Sequence, residues 1–227
     1  YENERYSPIT KQRYLTLMNE FEAYRKTNKI LDIGCGSGYF LEVARSKAWE
    51  VYGTEYSEKA MELLQKKNIT AHKGNLDAIN YKDISFDIIT SFEVLEHLAF
   101  PNEETRHAHH LLREGGLYYI TCPNFKAISK SLSKEKWSII NYPEHLNYFT
   151  PKTLHHFLLK QEFRKVKLFT SGISLSRLKQ SKRNKTDVPS ASNPDENFRC
   201  KAEKNIFYRI MYRTANFLLR ISRKGDT

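Results

Sequence analysis

No apolar run in this 227-residue chain approaches the roughly 20 residues that a membrane span needs, so no transmembrane helix is expected. Cysteine is scarce: Cys35, Cys122 and Cys200 stand far apart and form no C-x-x-C pair. That excludes a disulfide scaffold and a structural zinc site within this segment, and predicts a reduced, cytoplasmic setting. The first residues, Tyr1 to Tyr6, lack the basic-then-apolar pattern of a signal peptide, and a start at Tyr rather than Met predicts a fragment or a processed chain. No internal repeat is present. Acidic residues are also in deficit, 26 against 37 Lys and Arg, but unevenly so. From Arg177 to Thr227 there are 13 Lys/Arg and 5 Asp/Glu, a net of +8, which leaves only +3 for the preceding 176 residues. A basic tail of this kind suits nucleic acid, an anionic surface or a nucleotide-linked molecule, and equally serves as a solvated face.

What the chain does have is an alternation of strand and helix patterns. Ser7-Pro8 reads as an N-cap and first helical residue, followed by Leu15, Met18 and Phe21 at spacings of three. Strands are expected at about 29–33, 49–55, 69–73 and 86–91, at LYYITC after a Gly115-Gly116 turn, and at FRKVKLF (163–169). Helices are expected at 39–47, at 57–67 behind Ser57 as N-cap, at about 103–113, and from Thr150-Pro151 to Lys160. Strands alternating with helices predict a doubly wound, mostly parallel α/β sheet. Ligand then belongs at the carboxyl ends of the strands. Residues 123–150 hold no clean period and read as a cover over that edge. Residues 179–204 read as a polar linker, and 205–227 as a basic amphipathic helix carrying Ile206, Phe207, Ile210, Met211, Phe217, Leu218 and Ile221 on one face.

The most informative stretch is ILDIGCGSGYFL, residues 30–41. A short buried strand with Asp32 runs into Gly34, Gly36 and Gly38, then into an apolar helical start. Glycine at every second position lets the backbone turn tightly and approach a bound molecule with no Cβ in the way. An acidic residue beside such a loop suits a cationic ligand, whereas a pyrophosphate wants a bare helix N-terminus. Glu55 ends the second strand, where a carboxylate can accept both hydroxyls of a ribose.

This spacing resembles motif I of the class I S-adenosylmethionine-dependent methyltransferases, with a seven-stranded Rossmann-like fold over about 1–178. The resemblance extends through KGNLDAI, FEVLEHL, GGLYYITCPNF and YPEHLNYFTPKTLHHFLLKQEF, and is similar to a bacterial small-molecule subfamily often linked to surface polysaccharides or secondary products. It implies S-adenosylmethionine as cofactor, held by Asp32, Gly34, Gly36, Gly38 and Glu55, with Asn75 and Leu76 at the adenine and Ser91 and Phe92 beside the methionine end. Asn75 departs from the Asp more usual there. Members often carry a zinc ribbon ahead of the domain.

Glu93, Glu96 and His97 form E-x-x-E-H, which on a helical turn would share one face. Two carboxylates and an imidazole suit a divalent ion such as Mg²⁺, Mn²⁺ or Zn²⁺. The same motif occurs in ubiquinone-pathway O-methyltransferases and in small-RNA 2′-O-methyltransferases, where a later His completes a metal site; His145 in YPEHLNYF stands at the matching place. The open alternative is a metal-free site in which His97 or His145, aided by Glu96, takes the acceptor's proton. His107, His109, His110, His155 and His156 read as structural or exposed. Of the aromatics, Trp137 and Tyr142 are the candidates for lining an acceptor pocket.

These readings lead to methyl transfer onto a hydroxyl of a small molecule, such as a sugar or glycan precursor. The rival is an RNA 2′-O-methyltransferase or basic nucleic-acid-binding protein. Against nucleic acid stand the near-neutral first 176 residues and the missing aromatic–basic interleaving of a stacking platform. The sequence is silent on oligomeric state.

Overall fold

The computed structural model describes residues 8–76, 81, 84–127 and 140–170. The chain divides into two compact units, Tyr1–Thr121 and Cys122–Thr227.

The first unit is a parallel sheet wrapped by helices. Helix α1 (Pro8–Phe21) precedes β1 (Lys29–Ile33), α2 (Tyr39–Ser46), β2 (Glu50–Glu55), α3 (Glu58–Lys66), β3 (Thr70–Lys73), β4 (Phe86–Phe92), α4 (Pro101–Leu111) and β5 (Leu112–Thr121). The strand order is β3-β2-β1-β4-β5, with every pair parallel. The chain leaves β1 toward β2 and β3, then crosses back to lay β4 on β1's other edge. That reversal creates the crevice where an open α/β sheet binds its ligand.

Burial follows strand periodicity. Ile30 on β1 packs with Met18, Phe21, Phe40, Leu41 and Leu64, which come from α1, α2 and α3. Its neighbours Leu31 and Ile33 point the other way, into a core with Phe86, Ile89 and Ala108 of α4. β1 and β4 are buried along nearly their whole length, including the polar Asp32, Asp87, Thr90 and Ser91, as befits central parallel strands, while β3 at the edge is mostly exposed. Helix starts follow the expected chemistry: the Ser57 side chain accepts from the Ala60 N–H at 3.4 Å. At the opposite end of the sheet, buried Asp87 accepts from the backbone N–H groups of Lys26, Thr27 and Asn28 at 2.7–2.8 Å and from Arg113 Nε at 2.5 Å. This clamp fastens the entry to β1 onto β4.

Two expectations are corrected. Gly115-Gly116 is not a turn between helix and strand: β5 begins at Leu112 and runs through both glycines, with the β4–β5 register shifting between the Phe86–Leu112 and Ile88–Leu117 pairs. Gly115 takes φ +74°, the conformation that such a bulge needs. In the second unit, FRKVKLF forms no strand; Glu162 and Lys165 adopt φ of +66° and +55°, which breaks the extended alternation.

Five strands are therefore present among the described residues rather than the expected seven. The second unit contributes α5 (Pro151–Lys160), whose Thr150 and Thr153 form a reciprocal capping box. Between Cys122 and Ala127, and from Ile140 to Thr150, there is no helix and only an isolated bridge, Asn124 to Phe149. Trp137, the expected linker 179–204 and the expected helix 205–227 lie outside the described residues. No helix among the described residues is long and apolar enough to cross a membrane.

Candidate active site

The glycine loop leaves β1 at the crevice. Gly34, Gly36 and Gly38 take φ of +66°, +53° and +78°, the left-handed region that L side chains avoid. Their surroundings differ in a telling way. A Cβ on Gly34 would meet Val94 Cγ2 at 2.6 Å, and one on Gly38 would meet Leu64 Cδ2 at 2.5 Å, so both are pressed by protein. A Cβ on Gly36 would meet nothing within 4 Å. The middle glycine thus borders open space, a cradle that a side chain would fill.

Two acidic groups flank the loop. Glu55 Oε2 accepts from the Gly36 N–H at 2.8 Å, and its Oε1 accepts from the N–H groups of Tyr56 and Ser57, each at 2.8 Å. Asp32, on β1 opposite Thr90 of β4, is buried and accepts from Thr90 Oγ1 at 2.7 Å. Burial pushes the Asp32 carboxyl up to about 7, the Thr90 hydroxyl pulls it down, and the charge of Glu55 adds to the rise. Cys35 in the loop is buried, and burial pushes its thiol up, so it is inert packing against Gly53.

A small cleft of about 60 Å³ opens at Tyr56, the residue after Glu55, lined by Tyr56, Asn75, Leu98, Ala99, Phe100, Glu103 and Glu104. Asn75, expected at the adenine, is one of the lining residues. The N–H of Leu76, expected to face a base, points at the buried Glu104 carboxylate, with 3.4 Å between nitrogen and Oε2. Sequence reasoning missed Tyr56, Phe100 and Glu104. The signal for Tyr56 was its place directly after the strand-end acid; nothing local marks Glu104, which enters from α4.

At the end of β4, Ser91 is buried and sits beside Ile33 in the ladder. The Phe92 ring joins Tyr14, Phe40 and Tyr119 in an aromatic cluster, with centroids 5.0–5.7 Å from its own. Beyond it, E-x-x-E-H does not form the expected helical turn. Glu93 takes φ +54°, outside helical space, and a single turn closes from the His97 N–H to the Val94 carbonyl at 2.9 Å. Spacing alone therefore does not put Glu93 on the face of Glu96 and His97. Glu96 is buried, His97 exposed, and Glu96 Oε1 lies 4.0 Å from His97 Nε2. That separation is too long for a hydrogen bond and is one that two ligands of a common ion, each about 2.0–2.2 Å from it, can span. In the second unit His145 follows a turn closed on the Asn141 carbonyl at 2.9 Å and stacks edgewise on Tyr148 at 6.5 Å. Tyr142 is exposed, whereas Phe125 and Tyr148 pack around Ala127.

The methyltransferase domain family matches residues 6–168. A Mycolicibacterium smegmatis protein named "Probable S-adenosylmethionine-dependent methyltransferase" is 29% identical over 97 residues, 42% of this chain and only 38% of that relative's length. The ubiquinone biosynthesis O-methyltransferase of Coxiella burnetii is 25% identical over 165 residues, covering 67% of this chain and 68% of its own. In fold, a crystal structure of a SAM-dependent methyltransferase from Archaeoglobus fulgidus superposes with a TM-score of 0.58 at 22% identity, over 93% of this chain and 88% of that one. The glycine loop at the sheet's switch point, flanked by Asp32 and Glu55, therefore has its family: this chain belongs to the methyltransferase domain family.

Proposed function

We propose that the protein transfers a methyl group from S-adenosylmethionine to a hydroxyl of a small molecule, with a divalent ion held at Glu93, Glu96, His97 and His145. The observation that carries the cofactor half is the open space at Gly36 between Asp32 and Glu55. These residues fit the group: a left-handed glycine without a Cβ, a strand-end carboxylate for ribose hydroxyls, a buried acid for an ammonium, and a cleft with an exposed aromatic for a base.

When bound, S-adenosylmethionine supplies an electrophilic methyl whose bond to the sulfonium sulfur breaks as the bond to the acceptor oxygen forms. The chain's residues do the rest. Glu55 fixes the ribose, and the glycine loop, held by that same carboxylate, sets the depth at which the ligand lies. Glu96 and His97 stand just past β4, the edge from which Ser91 and Phe92 border the methionine end. The donor set of carboxylates and imidazole fits Mg²⁺, Mn²⁺ or Zn²⁺, which would lower the acceptor hydroxyl's pKa and orient it. His145 joins the set on sequence grounds. The 25% identity to the ubiquinone-pathway enzyme over most of its length supports a small hydroxylated acceptor.

The test is mass spectrometry of a reaction with S-adenosylmethionine and cell extract. The expected result is a hydroxylated metabolite heavier by one methylene, lost on chelation and restored by added Mg²⁺, Mn²⁺ or Zn²⁺. Turnover that chelation leaves intact would remove the ion and leave His97 or His145 as the base. No methylated species at all, from folded protein, would overturn the activity.

A further inference from the structure

We propose that Glu104 is the residue that reads the exocyclic amino group of the cofactor's adenine, and so sets the choice of nucleobase. The inference rests on the S-adenosylmethionine reading above and deepens it.

Four observations converge on one small cleft. Tyr56 and Phe100 both line it and are 61% and 69% exposed, two aromatic surfaces offered to solvent at the edge of a concavity. Flat, π-faced bases gain by stacking on such rings. Asn75 and Glu104 supply the polar edge. Glu104 is only 5% exposed, an unusual state for a glutamate, which is almost never buried without partners. One partner is the Leu76 N–H, at 3.4 Å.

The chemistry of the two polar side chains differs. An amide such as Asn75 carries both a carbonyl and an NH₂ group, and by turning over it satisfies either an amino or an oxo substituent. An ionised carboxylate only accepts. Two oxygens give Glu104 capacity for the Leu76 N–H and for an N–H of the base amino group. A base with oxygen at that position meets a carboxylate with no proton to offer, so two acceptors face each other and the base is rejected. The discriminating acid thus comes from the first turns of α4, in a chain whose loop position after Gly74 holds Asn75 rather than an acid. Being carried on a helix, Glu104 is positioned more rigidly than a loop residue would be.

The experiment compares calorimetric titrations of S-adenosylhomocysteine and S-inosylhomocysteine, which differ in amino against oxo at C6 and in a bare N1 against an N1–H, with the wild-type protein and Glu104→Gln. The wild type should prefer the adenosyl compound by about a hundredfold or more. Glu104→Gln should cut that preference to about tenfold or less, because its amide can turn a donor toward the oxo group. Circular dichroism and the melting temperature serve as folding controls. Should that variant not fold, Glu104→Asp keeps an acceptor-only group one methylene further back. It should lose about tenfold in adenosyl affinity while still rejecting the inosyl compound. A preference unchanged in folded Glu104→Gln, or an adenosyl affinity unchanged in folded Glu104→Asp, with wild type binding S-adenosylhomocysteine, would overturn the role of Glu104 alone. Wild-type protein that binds neither compound would overturn the cofactor reading and this inference with it.

Discussion

The Gly36 N–H donates to Glu55 Oε2 at 2.8 Å, so the carboxylate that ends β2 also holds the middle of the glycine loop leaving β1. With Oε1 taken by the N–H groups of Tyr56 and Ser57, one side chain ties the loop to the wall of the neighbouring cleft. Cofactor binding then starts from a pre-formed loop, which reduces the ordering cost of association. Glu55→Ala removes both this tie and the carboxylate proposed to hold the ribose. Its dissociation constant for S-adenosylmethionine should rise about a hundredfold, with the melting temperature down by several degrees. Glu55→Gln, which retains a carbonyl oxygen, should fall between that variant and wild type in a calorimetric titration.

The glycines should separate by what they touch. Gly36→Ala costs about 1–2 kcal/mol for φ +53° and places its methyl in open space, so the chain should fold yet lose cofactor binding. Gly38→Ala adds a collision with Leu64 Cδ2 at 2.5 Å and Ile69 Cδ1 at 2.8 Å to a φ of +78°, so its loss should appear first as instability. Thermal denaturation beside ligand titration distinguishes the two. Equal destabilisation by both would refute the idea that the space at Gly36 is reserved for a ligand.

Asp32 predicts a pH dependence with opposite signs for stability and binding. Burial raises its folded-state value from 3.8 to about 7, so the folded chain holds this proton more tightly than the unfolded one. Its contribution to stability is complete below about pH 4 and is lost as pH rises through about 7. In the proposed site the ionised carboxylate faces the cofactor's ammonium, so affinity should climb with pH up to about 7 and level off above it. Asp32→Asn should raise the melting temperature of the unliganded protein at pH 8 and flatten the pH profile of binding. An unchanged profile in the variant would remove Asp32 from the ligand's cationic end.

Asp87 predicts stability without activity. Burial alone would raise its carboxyl, but the Lys26 N–H, Arg113, and the N–H groups of Thr27 and Asn28 outweigh that and hold it below the usual carboxylate range. The stability it contributes is therefore present above the unfolded value of about 4 and lost as pH falls through the lower folded value. Asp87→Asn should cost about 2–4 kcal/mol in denaturant unfolding near pH 7, with cofactor affinity intact in the folded fraction.

Much of this was legible in the sequence because local chemistry dictated it. ILDIGCGSG specifies strand, left-handed turns and helix start within nine residues, and Ser57 and Thr150-Pro151 mark helix starts by capping. What escaped depended on long-range register or on backbone states that composition conceals. The bulge at Gly115-Gly116 arises from pairing with β4, not from a turn. Lys165 and Glu93, neither of them glycine, adopt positive φ and so undo a strand and a helical turn that spacing alone predicted. Glu104 reaches the cleft only because α4 folds back beside the residues after β3, a juxtaposition of positions 28 apart that no local pattern announces.

The most direct test of the central claim is a calorimetric titration of the folded wild-type chain with S-adenosylmethionine, run beside Asp32→Ala and Glu55→Ala. The predicted result is saturable binding of one molecule per chain, weakened about a hundredfold or more in each variant. Folded wild-type protein that takes up no S-adenosylmethionine, or variants that bind it as tightly as wild type, would contradict the cofactor site built around Gly36.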